Sequence, residues 1–491
     1  MTAALKLCIL TSEMMPYAKT GGLADVTGAL VPALHGLGHE VRAFMPLYRA
    51  VRAGPWQFRP VEGLQRFPIA IAGIDYECSL VAAAWPGTDL NAFFVECAAM
   101  FDRDAFYTND PDEYRRFMLF TRAVIESCQR LEFAPDIFHC NDWHSALLPL
   151  MLKTAYAWDR LFARSRTVLT IHNIGYQGIM PRGAVADLGL DPREPLVNAA
   201  DLSSGCVNSL RSGIKLADAV TTVSPTYARE ICTAPLGMGM EQELRARADG
   251  ITGILNGVDY REWDPRHDRH LRVHFNATDI SGKAANKRVL MTANGLQFDP
   301  AAPLLSMVSR LTEQKGIDLL FDALPKVLRQ RDCGLIVLGS GDQRYVRFFD
   351  SLVGSFPRRV AFRNGYDESL AHLIEAGSDI FMMPSRYEPC GLNQMYSLRY
   401  GTIPIVHRTG GLADSVTHFD AATRAGTGCV FSDFDAYAAE WALHTTLDWF
   451  ADRTLWRQLM GNAMAQDFSW IRQVGEYEAL FRRIALRPRG V

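Results

Sequence analysis

The 491-residue sequence has no apolar run long enough to cross a bilayer and no clear excess of either charge. Its longest apolar segments, such as LLPLML, fall far short of the roughly 20 residues that a membrane-spanning helix needs. The formal net charge is −3, so no basic surplus indicates nucleic acid. We therefore expect neither a membrane nor a nucleic acid among the partners of this protein.

Several short signatures are also missing. The ten cysteines form no C-x-x-C pair and show no zinc-like spacing, which favours free thiols in a reducing cytoplasm. No H-E-x-x-H, P-loop or EF-hand pattern occurs. The N-terminal segment MTAALKLCILTSEMM has too short an apolar run for a secretory signal, so we interpret it as a buried strand.

Two series of alternating strand and helix patterns fill the chain. The first includes the strand-like LKLCIL, DIFHC and RTVLTIH, with an antiparallel hairpin in IAIAGIDYECSLVAAAW and a helix in WHSALLPLMLKTAYAW. The second begins near Pro303 and includes PLLSMVSRL, GLIVLGS, DIFMMP and IPIVHR. This alternation predicts an α/β protein with two doubly wound, Rossmann-like parallel sheets.

The predicted domains are residues 1–265 and residues 266–468. The polar stretch DPRHDRHLRVHFNATDISGKAANKR separates the two series and is expected to contain the linker. The remaining residues, 469–491, form an amphipathic helix that could pack back on the first domain.

The hexapeptide TGGLAD occurs twice, at residues 20–25 behind Lys19 and at residues 409–414 behind Arg408. Each copy follows a predicted strand and leads into a helix. Glycines permit close backbone approach, and amides at a helix start favour an anion. One copy alone could be an ordinary turn. Two copies behind cations favour a phosphate or sugar site in each domain.

Three further loops at predicted strand ends carry polar side chains. In SRLTEQKG, Arg310 and Lys315 could hold one diphosphate, or could be solvated surface charges. In PSRYEPCGLN, Glu388 is either an active-site carboxylate or a helix cap. In TIHNIGYQG, His172 and Asn173 could bind sugar hydroxyls or a phosphate, unless the histidine is satisfied by the fold.

Three patterns of acidic residues could be metal-binding sites, but structural roles such as helix capping explain them better. In HCNDWH, His139 alternates with apolar residues along a strand, and Asp142 can cap the helix that follows. The triplets Asp110–Asp112 and Asp433–Asp435 each precede a helix-like run, so we predict capping for both. No metal site is expected.

Eight motifs, by their amino-acid sequences and their order along the chain, resemble those of bacterial glycogen synthase and plant starch synthase. The motifs are KTGGLADV, HCNDWH, TIHNIGYQG, TVSPTYARE, GILNGVD, SRLTEQKG, PSRYEPCGLNQMYSLRYGTIPIV and RTGGLADSV. The resemblance runs from about residue 6 to about residue 470. It implies a GT-B fold whose two Rossmann-like domains face each other across a deep cleft. It also implies transfer of glucose from ADP-glucose to the non-reducing end of an α-1,4-glucan such as glycogen, with retention of configuration and no cofactor.

The resemblance assigns catalytic roles to five residues of this chain. His172 would lie at the transferred glucose, Glu388 would be the key acidic residue, and Asp142 would lie beside the acceptor. Arg310 and Lys315 would form the diphosphate clamp.

Eleven further residues would bind the donor. Among them, Lys19 and the Gly22 amide would contact the phosphates, and Tyr366 would stack on adenine. The full set is Lys19, Gly22, Asn173, Asn256, Tyr366, Cys390, Gly391, Leu392, Thr409, Gly410 and Gly411.

The sequence departs from the family at one loop and leaves alternatives open. PLGMGMEQELRARADG lacks the usual G-L-D-G-L wording, which concerns the acceptor side. Tyr396 stands where the wider retaining group has a second glutamate, as it does in glycogen synthases. The alternatives are a UDP-glucose or small-acceptor enzyme of the same fold, an α-glucan phosphorylase with pyridoxal phosphate, and a non-catalytic glucan-binding protein. Because no pair of carboxylates stands out, we expect same-face attack rather than a double displacement.

Overall fold

The computed structural model describes residues 3–191 and 194–486. Its strands are short and mostly buried. They are β1 (Lys6–Leu10), β2 (Glu40–Pro46), β3 (Arg59–Pro60), β4 (Phe67–Ile71), β5 (Ile74–Ala84), β6 (Asn91–Glu96), β7 (Ile137–Asn141), β8 (Arg166–Ile171), β9 (Ile179–Pro181), β10 (Cys206–Asn208), β11 (Ala219–Thr222), β12 (Thr252–Gly253), β13 (Leu304–Val308), β14 (Gly334–Gly339), β15 (Val360–Asn364), β16 (Ile380–Met383), β17 (Ile403–His407) and β18 (Cys429–Phe431).

The α-helices alternate with these strands. They are α1 (Gly22–Gly36), α2 (Arg49–Arg52), α3 (Ala98–Phe101), α4 (Glu113–Arg130), α5 (Leu148–Lys153), α6 (Ala184–Asp187), α7 (Ala199–Ser203), α8 (Ser209–Leu216), α9 (Pro225–Glu230), α10 (Ala234–Gly237), α11 (Glu241–Arg245), α12 (Ser281–Ala293), α13 (Leu320–Gln330), α14 (Gln343–Ser355), α15 (Glu368–Gly377), α16 (Asn393–Arg399), α17 (Gly410–Ser415), α18 (Ala436–Ala451), α19 (Arg453–Met464) and α20 (Trp470–Ala485). Of the helices in residues 3–191 and 194–486, none has the length and apolar character that crossing a membrane requires.

The chain divides into two compact units. The first comprises Met1–Val223, Ala228–Ile254 and Trp470–Val491, and the second comprises Ser224–Tyr227 and Leu255–Ser469. The predicted boundary after residue 265 lies further along the chain than the division at Ile254. The reason is packing: Trp263 stacks on His372 and Tyr396 at ring-centroid distances of 3.6 and 3.9 Å, so this segment belongs to the second unit.

The first unit is built on a ten-stranded sheet. The strand order is β12-β11-β8-β7-β1-β2-β6-β5-β3, with β4 paired to β5. Strands from β12 to β6 pair in parallel, whereas β3, β4 and β6 each pair antiparallel with β5. Strand order reverses between β1 and β7: from β1 the chain adds β2 on one side of the sheet, and from β7 onward it adds strands on the other side. In an open α/β sheet, ligands bind at such a reversal, outside the carboxyl ends of the strands.

The last helix, α20, packs within the first unit. Arg482 donates from Nη1 to the carbonyl of Ala3 at 2.7 Å, and Tyr477 and Phe481 lie against the ring of His139. The apolar face of this helix is thereby covered.

The second unit has a six-stranded sheet, all parallel, in the order β15-β14-β13-β16-β17-β18. Its reversal point lies between β13 and β16. The predicted strands from PLLSMVSRL to IPIVHR are all present, and the predicted α/β class with doubly wound parallel sheets is confirmed.

Two predicted segments are only partly right. The segment WHSALLPLMLKTAYAW is helical only over α5, because turns occupy the residues on both sides. The polar stretch predicted to contain the linker ends in the regular helix α12. There Lys283 is buried and donates from Nζ to Thr402 Oγ1 at 2.6 Å, which ties the stretch to the second unit.

Candidate functional site

The predicted site residues of the first unit follow β1 and β7, the strands on either side of the reversal point, and β8, which pairs with β7. Lys19 lies in the loop between β1 and α1, and its Nζ is 2.7 Å from Asp25 Oδ1. Helix α1 begins at Gly22, so the first TGGLAD does open a helix as predicted. A cation and a helix start therefore lie in one loop, the arrangement that favours an anion.

A residue that sequence reasoning missed supports this loop from within. Glu13, only 4% exposed, accepts hydrogen bonds from Thr20 Oγ1 and Tyr107 Oη at 2.6 Å each and from the Gly21 amide at 3.1 Å. The Thr20 amide also donates to Glu13 Oε2. The one available signal was an acidic residue a few positions after a buried strand, in TSEMM.

Asp142 does not cap a helix through its side chain, contrary to the prediction. Its Oδ1 instead accepts from the backbone amides of His172 at 2.7 Å and Asn173 at 3.3 Å, and its own φ is +53°. Burial raises the pKa of the Asp142 carboxyl to about 7. The carboxyl therefore joins the end of β7 to the end of β8 and is partly protonated near neutral pH.

The protonation state of His172 follows from its neighbours. Asn141 donates from Nδ2 to the Leu10 carbonyl at 2.9 Å, so its Oδ1 accepts from His172 Nε2 at 2.9 Å. Burial lowers the pKa of His172 to about 3. The ring is therefore neutral with its proton on Nε2, which leaves Nδ1 as a hydrogen-bond acceptor.

In the second unit, Lys315 and Glu388 come together although they are far apart in sequence. Lys315 follows β13 and Glu388 follows β16, the two strands beside the reversal point. Lys315 Nζ is 2.6 Å from Glu388 Oε2, which also accepts from Ser385 Oγ at 2.9 Å. Glu388 is thus held by an ion pair and a hydroxyl rather than acting as a helix cap.

The second TGGLAD packs on the backbone of the E-P-C turn. The Gly411 amide donates to the Glu388 carbonyl at 3.1 Å. A Cβ atom built on Gly410 would lie 1.9 Å from the Glu388 carbonyl oxygen, and one on Gly411 would lie 2.1 Å from that of Cys390. Because no side chain fits at either position, these two glycines are required by close approach. Thr409, just before them, is buried.

The other predicted donor residues occupy the same unit. The side chains of Arg310 and Tyr366 are exposed, at the ends of β13 and β15. Asn256 and Cys390 are buried and hydrogen-bonded to each other, and burial raises the pKa of the Cys390 thiol to about 12.

The backbone after Cys390 forms the turn into α16. Gly391 has φ +70°, and Leu392 is the residue immediately before the helix.

The predicted D-x-D caps are half right. Asp435 caps α18 by accepting from the Ala438 amide at 2.8 Å. The first triplet behaves differently, because Arg103 lies 2.6 Å from both Asp110 and Asp112. A guanidinium that neutralises the two carboxylates takes the place that a cation would fill.

One other group needs attention as a possible metal centre. Within the part of the chain that the structure describes, potential ligand atoms of Asp268, His270 and His372 lie close together. However, Asp268 already accepts from the His270 amide at 2.8 Å, from His372 Nδ1 at 2.7 Å and from Tyr400 Oη at 2.6 Å. These contacts fit a structural hydrogen-bond centre, and none of the four residues belongs to the predicted site.

Comparisons with known proteins agree with this arrangement. A family model described as the starch synthase catalytic domain matches residues 6–246, and one described as glycosyl transferases group 1 matches residues 293–448. The glycogen synthase of Koribacter versatilis (strain Ellin345) is 42% identical over 483 residues, which cover 98% of each chain. That of Syntrophotalea carbinolica is 43% identical, over 98% of this chain and 99% of its own.

A solved structure is similar over the same span. The catalytic domain of starch synthase IV from Arabidopsis thaliana, bound to ADP and acarbose, matches with a TM-score of 0.91 and 34% identity, covering 99% of this chain and 100% of its own. Two Rossmann-like units with polar loops at their reversal points, together with these matches, define a glycosyltransferase of the GT-B fold. More narrowly, the chain belongs to the glycogen synthase family and is a glucosyltransferase.

Proposed function

We propose that this chain transfers glucose from ADP-glucose to the non-reducing end of an α-1,4-glucan, elongating glycogen and releasing ADP with retention of configuration. The observation that carries the proposal is the Lys315–Glu388 ion pair at the reversal point of the second sheet, where the Glu388 backbone packs against the second TGGLAD loop. The names of the relatives and the ADP and acarbose bound to the starch synthase support the choice of donor and acceptor.

The leaving diphosphate gains negative charge as the sugar bond breaks. Arg310 and Lys315 supply fixed cations after β13, and the loop from Thr409 to Gly411 would lie at the distal phosphate. Preorganised donors of this kind stabilise a developing charge by several kcal/mol. Lys19 and the Gly22 amide would contact the donor phosphates, and Tyr366 would stack on the base. We expect the reaction to need no metal ion or other cofactor.

The sugar would be oriented by groups whose hydrogen-bonding character the contacts define. His172 offers an unprotonated Nδ1 and can accept a hydrogen bond from a glucose hydroxyl. Glu388 can accept from hydroxyls while its charge is balanced by Lys315. We also expect donor-binding roles for Asn173, for Asn256 and for the backbone of the turn from Cys390 to Leu392.

Retention is best accounted for by attack on the same face from which ADP departs. A double displacement needs an ionised, accessible carboxylate nucleophile. Asp142 is a poor candidate, because its pKa is about 7 and its Oδ1 already accepts two amides. In the same-face route, the departing phosphate oxygen accepts the proton of the acceptor hydroxyl. A glucosyl adduct trapped on Asp142 or Glu388 of the unmutated enzyme would contradict this route.

The test measures ADP and UDP release with glycogen as acceptor, with ADP-glucose and UDP-glucose offered separately, each with and without EDTA. We expect glycogen-dependent ADP release that survives EDTA and falls about 100-fold in Lys315→Gln, which removes a cation from the clamp. Preference for UDP-glucose would overturn the choice of donor, and loss of activity in EDTA would overturn the metal-free clamp. The free, mostly buried cysteines support a cytoplasmic setting.

A further inference from the structure

A buried acidic side chain lies behind the first TGGLAD loop, where a site for an anion would be expected to have no unpaired negative charge. Glu13 is buried directly behind the loop, and its side chain accepts hydrogen bonds from the loop amides of Thr20 and Gly21. A carboxylate in this position repels a nearby diphosphate. Its presence therefore calls for a function that outweighs the repulsion.

The contacts of Glu13 define that function. Within the described residues, the Glu13 side chain has four hydrogen-bond partners, and all are donors: the Thr20 amide, Thr20 Oγ1, the Gly21 amide and Tyr107 Oη. A carboxylate accepts all four, because both of its oxygens are acceptors and neither is a donor. Three of these donors belong to the two residues immediately before Gly22. The carboxylate therefore fixes the backbone that presents both Lys19 and the start of α1.

The same side chain links the loop to a second segment of the first unit. Tyr107, which lies between α3 and α4, shares its hydroxyl with Ser12 Oγ at 2.8 Å, and Ser12 Oγ lies 3.2 Å from His144 Nδ1. The ring of Tyr107 stacks on His144 at a centroid distance of 5.0 Å. Glu13 thus anchors the loop to buried, mutually packed side chains rather than to solvent.

We infer that Glu13 is a positioning residue for the donor diphosphate, acting through the conformation of the Lys19–Gly22 loop. Its carboxylate accepts from the amides of Thr20 and Gly21, the two residues immediately before Gly22. The inference rests on the proposed donor role of this loop. It is independent of the identity of the base and of the acceptor.

The test is Glu13→Gln in the full chain. The substitution keeps the size of the side chain but turns one acceptor into an NH2 group, which then faces donors it cannot satisfy. We expect the KM for ADP-glucose to rise by roughly 10- to 100-fold, with the KM for glycogen within twofold of the original. If the charge merely repels the donor, the same variant lowers the KM for ADP-glucose, and that result overturns the inference, as does an unchanged KM.

Two further variants separate positioning from general stability. Thr27→Val removes the hydroxyl that donates to the backbone carbonyl of Glu13 at 2.8 Å but leaves the carboxylate contacts intact, so its KM for ADP-glucose should be unchanged. Thr20→Val removes one loop contact from the exposed end. It should raise the KM about three- to tenfold even if Glu13→Gln fails to fold; an unchanged KM in Thr20→Val overturns the inference.

Lys19→Gln distinguishes this inference from the proposed function. If Lys19→Gln leaves the KM for ADP-glucose unchanged, the loop does not bind the donor, and the proposed role of the loop fails together with that of Glu13. If Lys19→Gln raises the KM but Glu13→Gln and Thr20→Val do not, only the inference about Glu13 fails.

Discussion

The two TGGLAD copies allow one glycine-to-alanine substitution to be made at equivalent positions in different surroundings. Gly410 has φ +43°, and a Cβ there would lie 1.9 Å from the Glu388 carbonyl oxygen. Gly21 has φ −154°, an extended conformation open to any residue, and nothing lies within 4 Å of its Cβ position. The same change should therefore be damaging at Gly410 and tolerated at Gly21.

The expected size of the effect follows from these two geometries. At Gly410, the left-handed backbone costs about 1 kcal/mol and the overlap costs about 1–3 kcal/mol. A total of about 2–4 kcal/mol should lower the Tm of the second unit by roughly 5–15 °C. At Gly21 the net change should stay below about 0.5 kcal/mol. Because the Glu388 carbonyl must move, Gly410→Ala should also lower kcat for ADP release by about 100-fold.

The assay combines differential scanning calorimetry with ADP release from ADP-glucose and glycogen. Both variants are measured beside the unmutated enzyme in one buffer. Equal Tm values for Gly410→Ala and Gly21→Ala would refute the reasoning, because they would mean that the E-P-C turn does not confine Gly410. A normal Tm with full activity in Gly410→Ala would refute it as well.

Two further predictions concern buried carboxyls. Because the pKa of Asp142 is about 7 when folded and its ordinary value is 3.8, this carboxyl binds more protons in the folded chain than in the unfolded chain between these values. Its contribution to the free energy of unfolding should therefore fall as pH rises from about 4 to 7 and then level off. Asp142→Asn removes this pH-dependent loss, so the free energy of unfolding of the variant, measured in urea, should exceed that of the unmutated chain by an amount that grows over this range to at most about 4 kcal/mol. A difference between the two that stays constant with pH would contradict the raised pKa. Asp268→Asn replaces one accepting oxygen by an NH2 group that faces donors. It should lower the free energy of unfolding by about 3 kcal/mol without changing the KM for ADP-glucose. A Tm of the unmutated chain that drops in EDTA would instead indicate a metal at Asp268.

The sequence predicted those features whose signal is local. The helical spacing of Leu23, Val26, Leu30 and Leu34 gives α1, and the structure buries all four. Strand and loop order placed the predicted loops after β1, β8, β13, β16 and β17, since the carboxyl ends of parallel strands share one edge of a sheet. Composition alone could not indicate which side chains meet at that edge.

The features that were missed depend on contacts between distant positions. Asp142 was expected to cap the helix beside it, but it accepts instead from the amides of His172 and Asn173, which follow the neighbouring strand β8. Asp112 was likewise expected to cap α4, but its carboxylate forms an ion pair with Arg103 instead. The sequence offers each carboxylate several possible donors, and only the fold brings one set of them within hydrogen-bonding distance.

Identical sequence in the two TGGLAD copies does not give identical structure. The first copy opens α1, which extends to Gly36, and its loop is held by the side chain of Glu13. The second copy opens α17, which ends at Ser415, and the amide of its Gly411 donates to the backbone carbonyl of Glu388. The aspartates differ too: Asp25 pairs with Lys19, whereas Asp414 accepts from the amide and hydroxyl of Thr226. Gly21 of the first copy therefore has room for a Cβ atom, whereas neighbouring backbone occupies that space at Gly410 and Gly411 of the second. At the first glycine of the hexapeptide, the fold itself requires glycine only in the second copy, so a requirement for glycine at Gly21 would come from the ligand that the loop binds.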